Sequence, residues 1–348
     1  MNIIVLCGGL SSERDVSISS GVGVTRALRE RGHKAVLVDL YFGYTGTYSD
    51  PREIFDRPMD DPDCAVAESE PDLAAVRASR KQDNDSLMGD NVLEVCRAAD
   101  IVFLALHGEE GENGKLQAAF DIHGIRYTGS GYLGSALAMN KTLSKELFRA
   151  GGIPTPPGIT VYRGSETYPD VGFPCVVKPC SGGSSVGTSI VTDPAQYRAA
   201  LELAFQYEDA VIVERYIHGR ELTVGIIDGQ AMPVIEIIPK EGFYDYKNKY
   251  QAGLTLELCP APLTPEQTAQ VQSLSCKVND LLMIQAYCRV DFLMDETDGT
   301  MYCLEANTLP GMTPTSLVPQ MGRAMGLDFG ELCERLIAAS LKKYGVDA

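Results

Sequence analysis

The stretch CRVDFLMDETDGTMYCLEANTLPG, residues 288–311, decides how this chain is read. Two apolar runs flank the polar turn DETDGT, the pattern of a β-hairpin. Side chains alternate faces along a strand, so Arg289 and Asp291 share a face, as do Glu305 and Asn307. If the strands pair, three oxygen-bearing side chains and one guanidinium converge on one surface. Such a surface is either solvated or gathered around a cation. Solvation would leave two rich hydrophobic runs half exposed, whereas Asp, Glu and Asn oxygens are what Mg²⁺ takes, completed by waters and phosphate. The strand then breaks at once into Leu-Pro-Gly, which calls for its own explanation.

Upstream, NIIVLCGG, SISSGVGVTRALRERG and HKAVLVDL read as strand, helix and strand, with Gly32 where a C-cap glycine belongs. This βαβ start implies α/β architecture. Residues 41–90 are polar, acidic and poorly periodic, a surface connection with one helix expected near 71–81, within an elaborated segment of the first unit that runs 41–98. DIVFLAL (100–106) is a buried strand that runs into the loop HGEEGENG and a helix from about Lys115. A second unit opens near residue 130, with Asn140 capping a helix, FPCVVKP (173–179) and AVIVERYI (210–217) as strands, and Asp193-Pro194 starting another helix. In the third, Thr264-Pro265-Glu266-Gln267 carries a capping-box signature and a final amphipathic helix follows Asp328. The expected units are 1–129, 130–214 and 215–348.

Bulk properties exclude some classes. A chain of 348 residues suggests two or three domains. Its net charge of −17 argues against a general nucleic-acid binder, so basic residues that meet an anion must be local. No run reaches the roughly 18 apolar residues of a membrane span, and MNIIVLCGG reads as a first strand, not a signal peptide. The ten cysteines are scattered without a C-x-x-C pair, as buried reduced thiols of a cytoplasmic protein are.

Further candidates follow from residue chemistry. KPCSGGSSVG (178–187) is a small-residue loop whose backbone N–H groups and Ser hydroxyls suit a phosphate, with Lys178 beside it. A plain hairpin turn has the same composition. Lys141, in the first turn of its helix, is a second positive charge or simply a solvated one. Glu13 lies just past the first strand, where α/β folds place ligands, or serves the helix dipole. His107 ends a buried strand. FYDYKNKYQ (243–251) has no period and four aromatics, which favours a lid within 240–259 over a linker.

Taken together, GGLSSERDVS, HGEEGENGKLQ, KPCSGGSSVG, VERYIHGREL, GFYDYKNKY, RVDF and EANTLPGMTPTSLVP resemble the D-alanine–D-alanine ligases of the ATP-grasp superfamily nearly end to end. The resemblance implies a three-domain ATP-grasp fold behind an N-terminal βαβ domain, and a cytoplasmic homodimer using ATP and two Mg²⁺ ions, or Mn²⁺. It implies that Asp291, Glu305 and Asn307 hold the metals. Lys141 and Lys178 would contact the α- and β-phosphates and Lys249 the γ-phosphate, with Ser185 also binding the nucleotide. Glu214 and the Ile217 backbone would meet adenine, and Glu221 the ribose. Glu13, helped by His107, would bind the ammonium of the first D-alanine. Arg289 and the Gly311 N–H would form an oxyanion hole, and Ser316 with Leu317 would hold the second carboxylate. Glu13, Ser184 and Tyr250 resemble the family's hydrogen-bonded triad. By the same resemblance the Leu-Pro-Gly break turns Gly311 and Ser316 toward the reacting carboxyl groups.

Asn113 and Thr315 depart from common residues of that family, at positions outside the ligand and triad set. Tyr250 favours D-alanine over D-lactate as acceptor, and Leu317 favours it over D-serine. The rival readings are a D-alanine–D-serine ligase, another carboxylate–amine ligase, and a nucleotide-binding module without catalysis.

Overall fold

The computed structural model describes residues 1–59, 66–67, 71–81, 85–165, 171–240 and 253–346. Asn2–Cys7 (β1), Lys34–Asp39 (β2) and Ile101–Leu104 (β3) form a parallel sheet in the order β2-β1-β3. Covered on both faces, its strands read as continuous apolar runs, and Ile3, Ile4, Val5 and Leu6 are all fully buried. Each such side chain contributes roughly 1.5–3 kcal/mol of burial. The Arg14–Glu30 helix crosses from β1 to β2. It ends as expected: Gly32 is left-handed, its N–H bonding Arg29 while His33 N–H reaches back to Leu28, a Schellman pattern.

Gly158–Tyr162 (β4), Cys175–Pro179 (β5), Ser189–Val191 (β6) and Ala210–Arg215 (β7) make a second sheet, antiparallel, in the order β4-β7-β5-β6. It packs with the Pro194–Ala204 helix on a small core of its own. Gly219–Ile227 (β8), Gln230–Pro239 (β9), Thr255–Leu258 (β10), Tyr287–Asp295 (β11) and Met301–Asn307 (β12) form the third, ordered β10-β9-β8-β11-β12. The Phe329–Lys342 helix, started by an Asp328–Glu331 capping box, packs back on the Arg14–Glu30 helix. First and third units therefore share one core, which includes Leu28, Phe103, Leu332 and Leu336.

Two differences from the sequence reading have local causes. The proline-rich IPTPPG was read only as a helix stop, but the chain beyond its prolines extends into β4, an edge strand. Part of the 240–259 segment is strand: Thr255–Leu258 pairs with β9. Lys249 and Tyr250, both expected in that segment's lid, lie outside the described residues. All nine described cysteines are free thiols. No helix among the described residues is long and apolar enough to cross a membrane.

Candidate active site

β11 and β12 form the hairpin, with Asp291 opposite Glu305 and Arg289 opposite Asn307. Arg289 donates to both Asp291 oxygens at 2.9 and 2.8 Å, joined by Thr223 Oγ1 at 2.6 Å and Asn307 Nδ2 at 3.0 Å. Glu305 lies 3.1 Å from the Lys141 ammonium. The two acids are thus neutralised by cations of the chain itself. Asn307 spends its nitrogen on Asp291, which leaves the amide oxygen as its acceptor. Two carboxylates and an amide oxygen on adjacent strands are a hard-oxygen donor set that fits Mg²⁺. Among the described residues, no group of three His, Cys, Asp or Glu side chains forms a metal cluster.

Two clefts meet at this hairpin. One, about 1000 Å³ including its open mouth, lies between the second and third sheets and is lined by Lys178, Ser185, Glu214, Ile217 and Glu221. The other, about 880 Å³, runs down to the first unit and is lined by Glu13, His107, Glu112, Arg289, Gly311 and Ser316. Lys141, Gly182, Gly183 and Glu305 line both.

In the first cleft, Glu214 is 2% exposed and sits between two lysines. Lys178 Nζ is 2.5 Å from Oε1 and Lys145 Nζ 2.8 Å from Oε2. Burial by itself would raise the Glu214 pKa, but the two ammonium groups hold it down at about 2. Burial also pulls Lys145 below the usual lysine range. Lys145 aims its hydrogen bond at Thr155 Oγ1 (2.9 Å), which donates to the Cys303 carbonyl of β12. Glu214 Oε2 is left buried without an aligned donor. The adjoining loop bends through left-handed residues at Gly182, Ser184, Ser185 and Gly187. For the two serines this is strained backbone, of a kind concentrated at ligand clamps.

In the second cleft, Ser184 Oγ donates to Glu13 Oε1, joining the loop to the start of the Arg14–Glu30 helix. A Cβ at Gly183 would come within 3.1 Å of Glu13 Oε2. Gly311 is equally constrained, since its Cβ would meet Ser316 Oγ at 2.6 Å. Ser316 Oγ is 2.7 Å from Thr313 Oγ1, and Leu317 is buried behind it. Arg289, Gly311 and Ser316 therefore face one cavity, as the sequence reading expects.

His107 lines the same cleft as Glu13, as expected, and is held there by two contacts the sequence does not reveal. Its Nδ1 lies 2.9 Å from the Leu309 carbonyl and its Nε2 3.0 Å from Ser20 Oγ, so both ring nitrogens are engaged by the protein. Sequence reasoning also missed Glu112 and Lys145. Lys145 had a signal, standing four residues after Lys141 and so on the same helix face. Glu112 had none: HGEEGENG offers three acids, and only the tertiary structure shows that Glu112 is the buried one.

A strained small-residue loop, paired lysines and the acidic β11–β12 hairpin thus line two joined clefts, with cations and hard-oxygen acceptors side by side. Models of the D-ala D-ala ligase N-terminus and C-terminus match residues 2–130 and 147–338. The chain is 42% identical over 348 residues to the D-alanine–D-alanine ligase of Lacticaseibacillus casei, covering 99% of this chain and 97% of the relative. For the Geobacter sulfurreducens D-alanine–D-alanine ligase the identity is 41% over 349 residues, covering 99% and 96%. The crystal structure of the Bacillus anthracis D-alanine–D-alanine ligase complexed with ATP superposes with a TM-score of 0.76 at 31% identity, covering 99% of this chain and 98% of that one. This chain belongs to the D-alanine–D-alanine ligase family.

Proposed function

We propose that the chain joins two D-alanine molecules at the expense of ATP, through a D-alanyl phosphate, supplying D-alanyl-D-alanine for peptidoglycan precursors. The observation that carries this is the continuity of the two clefts across Lys141 and Glu305. A triphosphate in one would end where a carboxylate in the other begins.

The nucleotide lies between the sheets. Glu214 and the Ile217 backbone, which line that cleft, meet the adenine edge, with Glu221 at the ribose. Lys178, Lys141 and Ser185 turn to the phosphates, and Lys249 to the terminal one. Asp291, Glu305 and Asn307 hold Mg²⁺, which supplies neutralisation of phosphoryl charge when bound. Glu13 orients the ammonium of the first D-alanine and Ser184 ties Glu13 to the loop, a triad that Tyr250 would complete by the family resemblance.

The first D-alanine carboxylate attacks the γ-phosphorus and ADP leaves. The neutral amine of the second, held by Ser316 and Leu317, attacks the acyl carbon. Arg289 and the Gly311 N–H stabilise the oxyanion, and the intermediate collapses to dipeptide, phosphate and a proton. One such donor is typically worth ~10²–10³ in rate. Acyl phosphates hydrolyse readily, so the chemistry needs a cover against water, a role that the family resemblance gives to the 240–259 segment. Units 1–129, 130–214 and 215–348, a homodimer and a cytoplasmic location complete the reading, supported by the family resemblance.

The test is phosphate release with ATP, Mg²⁺ and paired D-amino acids. D-alanine alone is expected to sustain turnover and yield dipeptide. Turnover only with D-serine as acceptor would replace the substrate assignment, and no turnover with any pair would favour a binding module.

A further inference from the structure

The turn that carries Gly311 is gripped on both sides by the first unit. Leu309 N–H donates to Glu112 Oε1 at 3.1 Å, and the Leu309 carbonyl accepts from His107 Nδ1 at 2.9 Å. One residue beyond Gly311, Met312 N–H donates to Ser20 Oγ at 3.2 Å. The other Glu112 oxygen accepts from Gly108 N–H at 2.6 Å. The three bonds to Leu309 and Met312 span 197, 202 and 292 residues of sequence, and Glu112, His107 and Ser20 are all buried.

Proton positions follow from the partners. A carbonyl only accepts, so the hydrogen of His107 is on Nδ1. Burial pushes the His107 pKa down, so the ring is neutral and Nε2 accepts from the Ser20 hydroxyl. That leaves a Ser20 lone pair for Met312 N–H. Every donor in the chain then has an acceptor, and each bond fixes the next. Packing of the first unit on the third needs nothing so specific: their shared apolar core already supplies it. The three backbone bonds converge on a single short turn, two residues before Gly311 and one after.

We propose that Glu112, with His107 and Ser20, is a positioning unit for the second chemical step, holding the 308–312 turn so that the Gly311 N–H meets the oxyanion. The proposal rests on the oxyanion role given to Gly311 above. An error of about 1 Å in such a donor can lower a rate by ~10²-fold. Because only the second step develops this oxyanion, loosening the turn slows amine attack more than acyl phosphate formation. The stranded acyl phosphate is then lost to water.

The experiment measures phosphate and dipeptide together in native protein, Glu112→Gln and Ser20→Ala, with saturating ATP, Mg²⁺ and D-alanine. Glu112→Gln keeps the shape but turns an amide N–H toward a backbone N–H. Ser20→Ala removes the Met312 acceptor with minimal change of volume, and keeps the test intact if Glu112→Gln does not fold. The native protein is expected to give one dipeptide per phosphate. In the variants dipeptide formation falls ~10-fold or more and the yield per phosphate drops well below one. Equal loss of both products, or no change, overturns the proposal. Failure of the native protein to make dipeptide from D-alanine would instead overturn the reading on which it rests.

Discussion

Glu214 and Glu112 are comparably buried, 2% and 8% exposed, yet their surroundings drive them in opposite directions. Glu214 faces two ammonium groups, which outweigh burial and hold its pKa at about 2. Glu112 faces two backbone N–H groups. These and the more distant Arg289 do not offset burial and the like charge of Glu13, and its pKa is pushed up to about 7. Formal charges compensate desolvation where amide dipoles do so only in part. The cleft between the second and third sheets therefore carries fixed countercharge, whereas the cleft toward the first unit contains a carboxylate whose pKa is pushed up to about 7.

The most damaging way to break this comparison is at the point both clefts share. Glu305→Gln removes one carboxylate charge beside Lys141 and is expected to abolish dipeptide formation while leaving the thermal unfolding transition and circular dichroism close to native. Near-normal turnover in that variant would refute the metal and phosphate assignment.

Lys145→Met attacks the nucleotide side alone. It leaves Glu214 with Lys178 as its single cation, and breaking a buried pair in this way is worth about 3–5 kcal/mol of stability. Denaturant titration measures it, and adding Glu214→Gln should recover most of the loss. Full native stability in Lys145→Met would show that Lys178 alone compensates the carboxylate.

A smaller, pH-dependent effect sharpens the contrast. The raised pKa of Glu112 means that its favourable contribution is fully present below the ordinary value of 4.5 and lost as pH rises through about 7. For Glu214 the depressed value gives the opposite sign, with stability present above 4.5 and lost as pH falls toward about 2. Unfolding midpoints followed with pH should show native protein losing ~1–3 kcal/mol relative to Glu112→Gln between pH 4.5 and 7.5. A flat difference would remove the titration assigned to Glu112.

What could be read from the sequence divides along the same lines. The hairpin was legible because alternation, a polar turn and apolar flanks agree locally, and its register brings Asp291 opposite Glu305. The Gly32 cap and the Thr264 and Asp328 helix starts were legible for the same reason, since each is fixed within a few residues. β4 was hidden behind prolines, and β10 is identified only by its partner β9. The grips on Glu214 and Leu309 join residues far apart in sequence, so no local pattern carries them. His107 shows the limit most clearly: its position at a strand end was readable, but its partners Ser20 and Leu309 were not.

In the proposed function Asp291, Glu305 and Asn307 would hold divalent cations against a triphosphate, while Arg289 and Lys141 neutralise the two acids in this structure. A crystal grown with a non-hydrolysable ATP analogue and Mn²⁺, measured at the manganese absorption edge, tests it directly. The account predicts anomalous peaks bounded by those three side chains, with Lys141 turned to the phosphates. An analogue bound without manganese at that hairpin, and with the Arg289–Asp291 and Lys141–Glu305 pairs intact, would contradict it.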